Sequence, residues 1–251
     1  MLTTAIARSE HRELLRGALI GILAVGLSVV SIAALGANLL HLSAAYVPKV
    51  LLVFASGAAV VLLALPGSHG AARLGPANHV TIVRGALVAL LAGLVSERPS
   101  PAISTAAVVV ASAALLLDGV DGRLARRSGM ASEFGARFDM ETDAVFVAVL
   151  AVLVWQFGKA GAWVLFSGLM RYLFAAAVAL VPRFQRPIPS TFTGKLIAVV
   201  QMIALIIALA PVCGPVVSAS IAAIGLLALI VSFSLDVAWL LQQPADDANA
   251  P

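Results

Sequence analysis

The sequence predicts an all-α bundle of membrane-spanning helices. Three observations carry that prediction. Of the 251 residues, 61% are hydrophobic and only 11% charged, and the mean hydropathy is +1.05. The apolar residues fall in eight continuous runs, not in the alternation of a β-barrel. The basic residues sit between those runs with a strong bias to one side. Ordinary soluble domains are about 45–50% apolar and ~25% charged. The composition excludes a disordered chain and a coiled coil. The single cysteine, Cys213, also excludes a disulfide-stapled secreted domain. A formal charge of +4 and a pI of 9.8 could suit nucleic acid. The basic residues are not gathered on one face, however, and their placement suits the anionic surface of a membrane, so no nucleic-acid partner is expected.

Taken in order, the runs cover residues 17–40, 47–65, 80–95, 102–117, 144–157, 160–181, 196–212 and 216–241. A span needs about 20 residues. The third, fourth and fifth runs are shorter, and each adjoins a polar stretch that lets the helix outrun its apolar part. The first run exceeds the roughly 7–15 apolar residues of a cleaved signal, so it reads as a span. One set of alternate segments between the runs holds twelve basic residues: Arg8, Arg12, Arg16, Arg73, Arg84, Arg123, Arg126, Arg127, Arg137, Arg183, Arg186 and Lys195. The other set holds Lys49, Arg98 and Lys159, and Arg171 lies inside the sixth run. The positive-inside rule then places both termini in the cytoplasm, with eight spans in total. Residues 242–251 read as a disordered tail.

Six of the twelve acidic residues fall between Asp118 and Asp143. A carboxylate at a bilayer is costly and marks a functional candidate. Asp118 and Asp121 are three apart and share a face of the fourth helix; Asp139 and Asp143 are four apart and share a face of the fifth. About a turn at Gly129, Met130 and Ala131 the two pairs mirror each other, so all four carboxylates reach similar depth. Converging carboxylates repel unless a cation joins them. Oxygen ligands without Cys or His select Mg²⁺ or Mn²⁺. Asp143 adjoins the apolar run and is expected in the driest surroundings of the four. Gly122 and Ala125 lie on the face of Asp118 and Asp121, where small residues admit a ligand or a packed helix. Arg126, one turn further, is placed either to pair with a phosphate or to anchor the helix.

The stretch Asp118-x2-Asp121-Gly122-x2-Ala125-Arg126-x8-Gly135-x3-Asp139-x3-Asp143 resembles the signature of the CDP-alcohol phosphatidyltransferases, with every fixed position filled. Asn78-x2-Thr81-x2-Arg84 resembles a weaker feature of the same family, and Gly194–Lys195 a weaker one still. The resemblance implies a six-span core over residues 74–241, preceded by a cytoplasmic segment and two additional spans over 1–73. It also implies a reaction: a phosphoalcohol, usually phosphatidyl, passes from a CDP-linked donor such as CDP-diacylglycerol to the hydroxyl of a polyol or polyol phosphate, and CMP is released. By resemblance, Asp118, Asp121, Asp139 and Asp143 hold one or two divalent ions, and Asp143 is also the general base. Gly122, Ala125, Arg126 and Gly135 then form the nucleotide surface, with Asn78 and Thr81 contributing. A homodimer with its site facing the cytoplasm is implied, and the high alanine content and the 13 Arg to 3 Lys point to a bacterial inner membrane.

Arg137, Arg171 and Lys195 are candidates for an acceptor phosphate. Arg171 stands mid-span, where a charge needs a partner or a wet cavity. His41, His69 and His79 show no metal-ligand spacing. Two other readings compete with the enzyme. A divalent-cation transporter would use the acidic cluster as an ion path, but it does not account for the glycine, alanine and arginine positions. An inactive scaffold would have no need of four intact aspartates. A CDP-choline-type donor is the alternative within the enzyme class.

Overall fold

No water inside a bilayer satisfies backbone N–H and C=O groups, so a continuous apolar run folds as a helix that bonds itself. The computed structural model describes residues 2–64, 76–128, 133–181 and 192–242. Among them are eight α-helices and no strand. These are α1 (Leu2–Leu39), α2 (Tyr46–Ala64), α3 (Pro76–Gly93), α4 (Pro101–Ser128), α5 (Glu133–Gln156), α6 (Phe166–Leu180), α7 (Phe192–Leu209) and α8 (Pro215–Gln242). A short 3₁₀ turn, Ala162–Leu165, leads into α6. Each apolar run is carried mainly by one helix, the sixth starting in the 3₁₀ turn, and α4 and α5 do extend through their polar flanks. Five stretches among the described residues are long and apolar enough to cross a membrane: Arg16–Leu39, Tyr46–Leu63, Pro101–Gly119, Ala162–Leu180 and Pro215–Gln242. The chain is an integral membrane protein.

Helix starts follow local chemistry. Pro76, Pro101 and Pro215 each open a helix, where the missing N–H would have no partner anyway. Ser100 caps α4 by accepting the Ile103 N–H at 3.2 Å. Past the end of α5, Gly158 takes φ +66°, which an L side chain rarely adopts.

The chain forms two compact units, Met1–Phe146 and Val147–Pro251. In the first, α4 lies against α3. Buried Ile103, Ala107, Ala111 and Ala114 form one stripe of α4, and one turn further the same stripe reaches Asp118. Helices α1 and α2 pack on α3 through a core of Ala18, Ile22, Val61 and Ile82, with Phe138 of α5 against it. A Cβ on Gly93 would run into Val50 and, at 2.8 Å, into Tyr46, so only glycine lets α2 approach α3 there. In the second unit, Gly168 of α6 sits so close to Ala148 that a Cβ would lie 2.6 Å from its Cα. The buried Gln201 donates to Ser167 Oγ at 2.9 Å. Lys159 donates to the carbonyls of Ala210 and Cys213 just past the end of α7, at 3.0 and 2.5 Å.

The α1–α2 and α3–α4 connections are tied by Glu97. Its carboxylate accepts from Ser43 N at 2.9 Å, Ser43 Oγ at 2.6 Å and Lys49 Nζ at 3.0 Å. Lys49 also donates to the Val95 carbonyl at 2.5 Å. Two non-glycine residues in these connections, His41 and Ser96, hold φ of 51° and 70°. Such strain persists where surrounding contacts over-determine the backbone. Burial pushes the Glu97 carboxyl up, but the Ser43 hydrogen bonds and the Lys49 ammonium outweigh it and hold it below its ordinary 4.5.

Glu97→Gln should lower stability at neutral pH by about 1.5–3 kcal/mol, the worth of a charge-assisted hydrogen bond. A depressed folded-state pKa stabilises fully above 4.5 and loses that contribution as pH falls through the lower folded value. The gap between wild type and variant should therefore close in acid. Unfolding midpoints in detergent, followed from neutral pH downward, check this; equal midpoints at neutral pH contradict it.

Candidate active site

Three of the four aspartates meet, and the group that gathers them is Arg84. Arg84 stands on α3 with its side chain only 2% exposed. Its Nη2 lies 2.9 Å from Asp118 Oδ1 on α4. The same guanidinium pairs with Asp139 through Nη1 and with Asp143 through Nη2, both on α5. The arrangement follows from helix geometry. The buried stripe of α4 ends at Asp118, and the four-residue spacing of Asp139 and Asp143 stacks them on one side of α5. A planar guanidinium has five donors in a rigid fork, so it can serve several carboxylates at once in one fixed geometry.

One carboxylate oxygen from each of Asp118, Asp139 and Asp143 lies within 4.8 Å of the others. Three carboxylates and one guanidinium leave two negative charges, which one divalent cation would neutralise. All the donors are oxygens, the set that hard cations prefer. Opposite oxygens around Mg²⁺ stand about 4.2 Å apart, so small side-chain rotations would close the group on an ion. The residues present therefore fit a divalent metal. Side-chain exposure is 22% for Asp118, 29% for Asp143 and 41% for Asp139. Asp143 is less exposed than its neighbour Asp139 on α5, as expected, and Asp118, which continues the buried stripe of α4, is half-buried as well.

Asp121, Gly122, Ala125 and Arg126 lie on the last turns of α4, but their side chains fall outside the described residues, as does the turn at Gly129, Met130 and Ala131. Gly135 and Arg137 lie on the first turns of α5, Gly135 half-buried and Arg137 exposed. Asn78 is half-buried and Thr81 buried on α3, three residues apart and in line with Arg84. Arg171, half-buried on α6, and Lys195, exposed in the first turn of α7, belong to the second unit. Arg183, Arg186 and His69 lie outside the described residues. His79 packs its ring against Gly21 of α1, at 3.3 Å from where a Cβ would stand.

Arg84 is the site residue that sequence reasoning missed. Counted among the cytoplasmic anchors, it is instead buried in ion pairs. Two signals pointed to it: it is the charge inside the apolar run 80–95, and it ends the Asn78-x2-Thr81-x2-Arg84 stripe.

Comparison with known proteins adds an independent finding. The family model described as CDP-alcohol phosphatidyltransferase matches residues 74–234. Two relatives from Mycobacterium tuberculosis, strains CDC 1551 / Oshkosh and ATCC 25618 / H37Rv, are each named probable phosphatidylglycerophosphate synthase. Each is 31% identical over 141 residues, covering 55% of this chain and 68% of the relative. No solved structure matches the chain.

Arg84→Gln removes the cation between three carboxylates. The apo protein should lose on the order of 3 kcal/mol of stability, as when one partner of a buried ion pair is removed. Added Mg²⁺ should then raise the unfolding midpoint more in the variant than in wild type, because it relieves a larger repulsion. Thermal unfolding in detergent with chelator or with Mg²⁺ makes the comparison, and superimposable wild-type and variant curves contradict it.

Proposed function

Because the chain belongs to the CDP-alcohol phosphatidyltransferase family, we propose that it moves a phosphatidyl group from CDP-diacylglycerol to the hydroxyl of a polyol phosphate and releases CMP. The family membership makes it a transferase of phospholipid biosynthesis, taking a CDP-alcohol donor and an alcohol acceptor. An ion path is therefore not needed to explain the carboxylates. The observation that carries the reading is the convergence of Asp118, Asp139 and Asp143 on Arg84, in helices that fall within the matched region. The printed name of the relatives, phosphatidylglycerophosphate synthase, supports a glycerol phosphate as acceptor.

In this reading Asp118, Asp139 and Asp143, joined by Asp121, three residues after Asp118 in the sequence, hold one or two Mg²⁺ or Mn²⁺ ions. The bound metal supplies charge neutralisation for the pyrophosphate and for the departing CMP. Gly122, Ala125 and Gly135 let the nucleotide approach the helices closely. Arg126, Asn78 and Thr81 offer it a charge and hydrogen bonds. Arg137, Arg171 and Lys195 supply cations for an acceptor phosphate. The acceptor hydroxyl oxygen bonds to the phosphorus that bears diacylglycerol. The bond from that phosphorus to the bridging oxygen breaks, and its electron pair leaves with CMP. The hydroxyl proton passes to the Asp143 carboxylate. Arg84 pairs with Asp139 and Asp143 and so holds both carboxylates in place.

The topology we infer has eight spans with both termini in the cytoplasm. Residues 1–73 then precede a six-span core over 74–241, with 242–251 as a tail. The site opens to the cytoplasmic face of a bacterial inner membrane, and the active form is a homodimer. The bias of basic residues supports the orientation.

Purified protein incubated with CDP-diacylglycerol and a panel of polyols and polyol phosphates tests the reading. CMP and a phosphatidylated product should appear with glycerol phosphate and Mg²⁺ or Mn²⁺, and both should vanish with excess chelator. Asp143→Asn keeps size and polarity but removes the base. It should abolish turnover while donor binding largely persists, whereas Asp118→Asn and Asp139→Asn should weaken metal and donor binding together. Turnover in excess chelator removes the metal from the account, and wild-type turnover by Asp143→Asn removes the base.

A further inference from the structure

The two N-terminal helices precede the matched region, yet they wall a cavity beside the carboxylates. The cavity is about 560 Å³ and lies among α1, α2, α3 and α5. We propose that it receives one acyl chain of the lipid donor, so that α1 and α2 help to select the substrate. The proposal rests on the reading of the donor as a diacylglycerol-linked CDP-alcohol.

Four observations carry it. The first is continuity with the site. On α3, Arg84 faces the carboxylates while Gly85 lines the cavity; on α5, Asp139 and Asp143 face Arg84 while Phe138 and Thr142 line it. The two helices thus present one face to the reacting groups and the adjacent face to the cavity. A lipid whose headgroup lies at the carboxylates has this cavity within reach of its tails. The second is the chemistry of the wall. Its hydroxyls are turned back on their own helices, Ser56 to the Leu52 carbonyl at 2.8 Å and Thr142 to the Phe138 carbonyl at 2.8 Å. The charged lining residue, Glu141, lies on the turn between Asp139 and Asp143, at the headgroup end. The rest of the wall is apolar and suits hydrocarbon.

The third observation is size and access. A methylene takes roughly the ~30 Å³ of a water molecule, so the volume suits a single chain of about 16–18 carbons. Leu52 and Val60 line the cavity and remain 69% and 65% exposed, which leaves a lateral way in from lipid. The fourth is the pair of glycines on its wall. Gly57 of α2 and Gly85 of α3 lie within helices, where glycine costs about 0.5–1 kcal/mol against alanine. At neither would a Cβ meet any atom within 4 Å. Close helix packing therefore does not explain them, as it does Gly93. What their missing side chains preserve is open volume.

Gly57→Leu tests the proposal, because it fills the cavity from α2 without touching the carboxylates. CMP release is measured in detergent micelles with CDP-diacylglycerol bearing two 16-carbon chains (about the length the cavity holds) or two chains too short to fill it. The KM for the long-chain donor should rise about tenfold, the loss of roughly two methylene contacts, with its kcat unchanged. The KM for the short-chain donor should stay within twofold of wild type. Gly57→Ala should shift the long-chain KM in the same direction by less, and Val60→Phe supplies the comparison should Gly57→Leu not fold. Unchanged long-chain KM, or an equal rise for both donors, overturns the proposal and leaves the cavity to bulk membrane lipid. If wild-type protein releases CMP from neither donor, the transfer reading itself fails, and this proposal with it.

Discussion

A guanidinium buried among apolar helices is costly to leave unpaired, and so is a group of carboxylates drawn together without a cation. Arg84 and the three aspartates answer each other's cost. One fork from α3 reaches Asp118 on α4 and both Asp139 and Asp143 on α5. That contact fixes how three helices meet at the polar end of the first unit. It also leaves an excess of two negative charges, which one divalent cation would neutralise. The same contact therefore serves packing and chemistry.

Much of this was legible in the order of residues. Continuous apolar runs can only be helices in lipid, and all eight appear as helices. The i, i+3 and i, i+4 spacings of the aspartates were enough to bring Asp118, Asp139 and Asp143 together. What sequence reasoning passed over was the partner that holds them. An arginine near the start of an apolar run reads as an orientation signal, whereas Arg84 is buried against carboxylates from α4 and α5. Gly93, Gly168 and Gly225 were equally silent, because a close approach needs a partner that spacing does not name. At Gly225 that partner is Gln201, whose side chain a Cβ would strike.

The two N-terminal helices read as an addition to a family core. Their packing is closer than that description suggests. Tyr46 donates to the Leu90 carbonyl at 3.2 Å, and Glu97 gathers both connections in one knot. Near the carboxylates, Phe138 joins the core that α1 and α2 share with α3. A pair of helices held at both ends of α3 is part of the wall around the site, which is why a cavity and a core occur side by side there.

The central claim is that Arg84 and the aspartates act as one unit, and a double-mutant cycle on turnover tests it most directly. Phosphatidyl transfer is measured for wild type, Arg84→Gln, Asp139→Asn and the double variant, each verified as folded. Groups acting as a unit are strongly non-additive. The account predicts that the double variant is no slower than the slower single variant, because either change already dismantles the cluster. Rate losses that multiply, as for two independent sites, would contradict it.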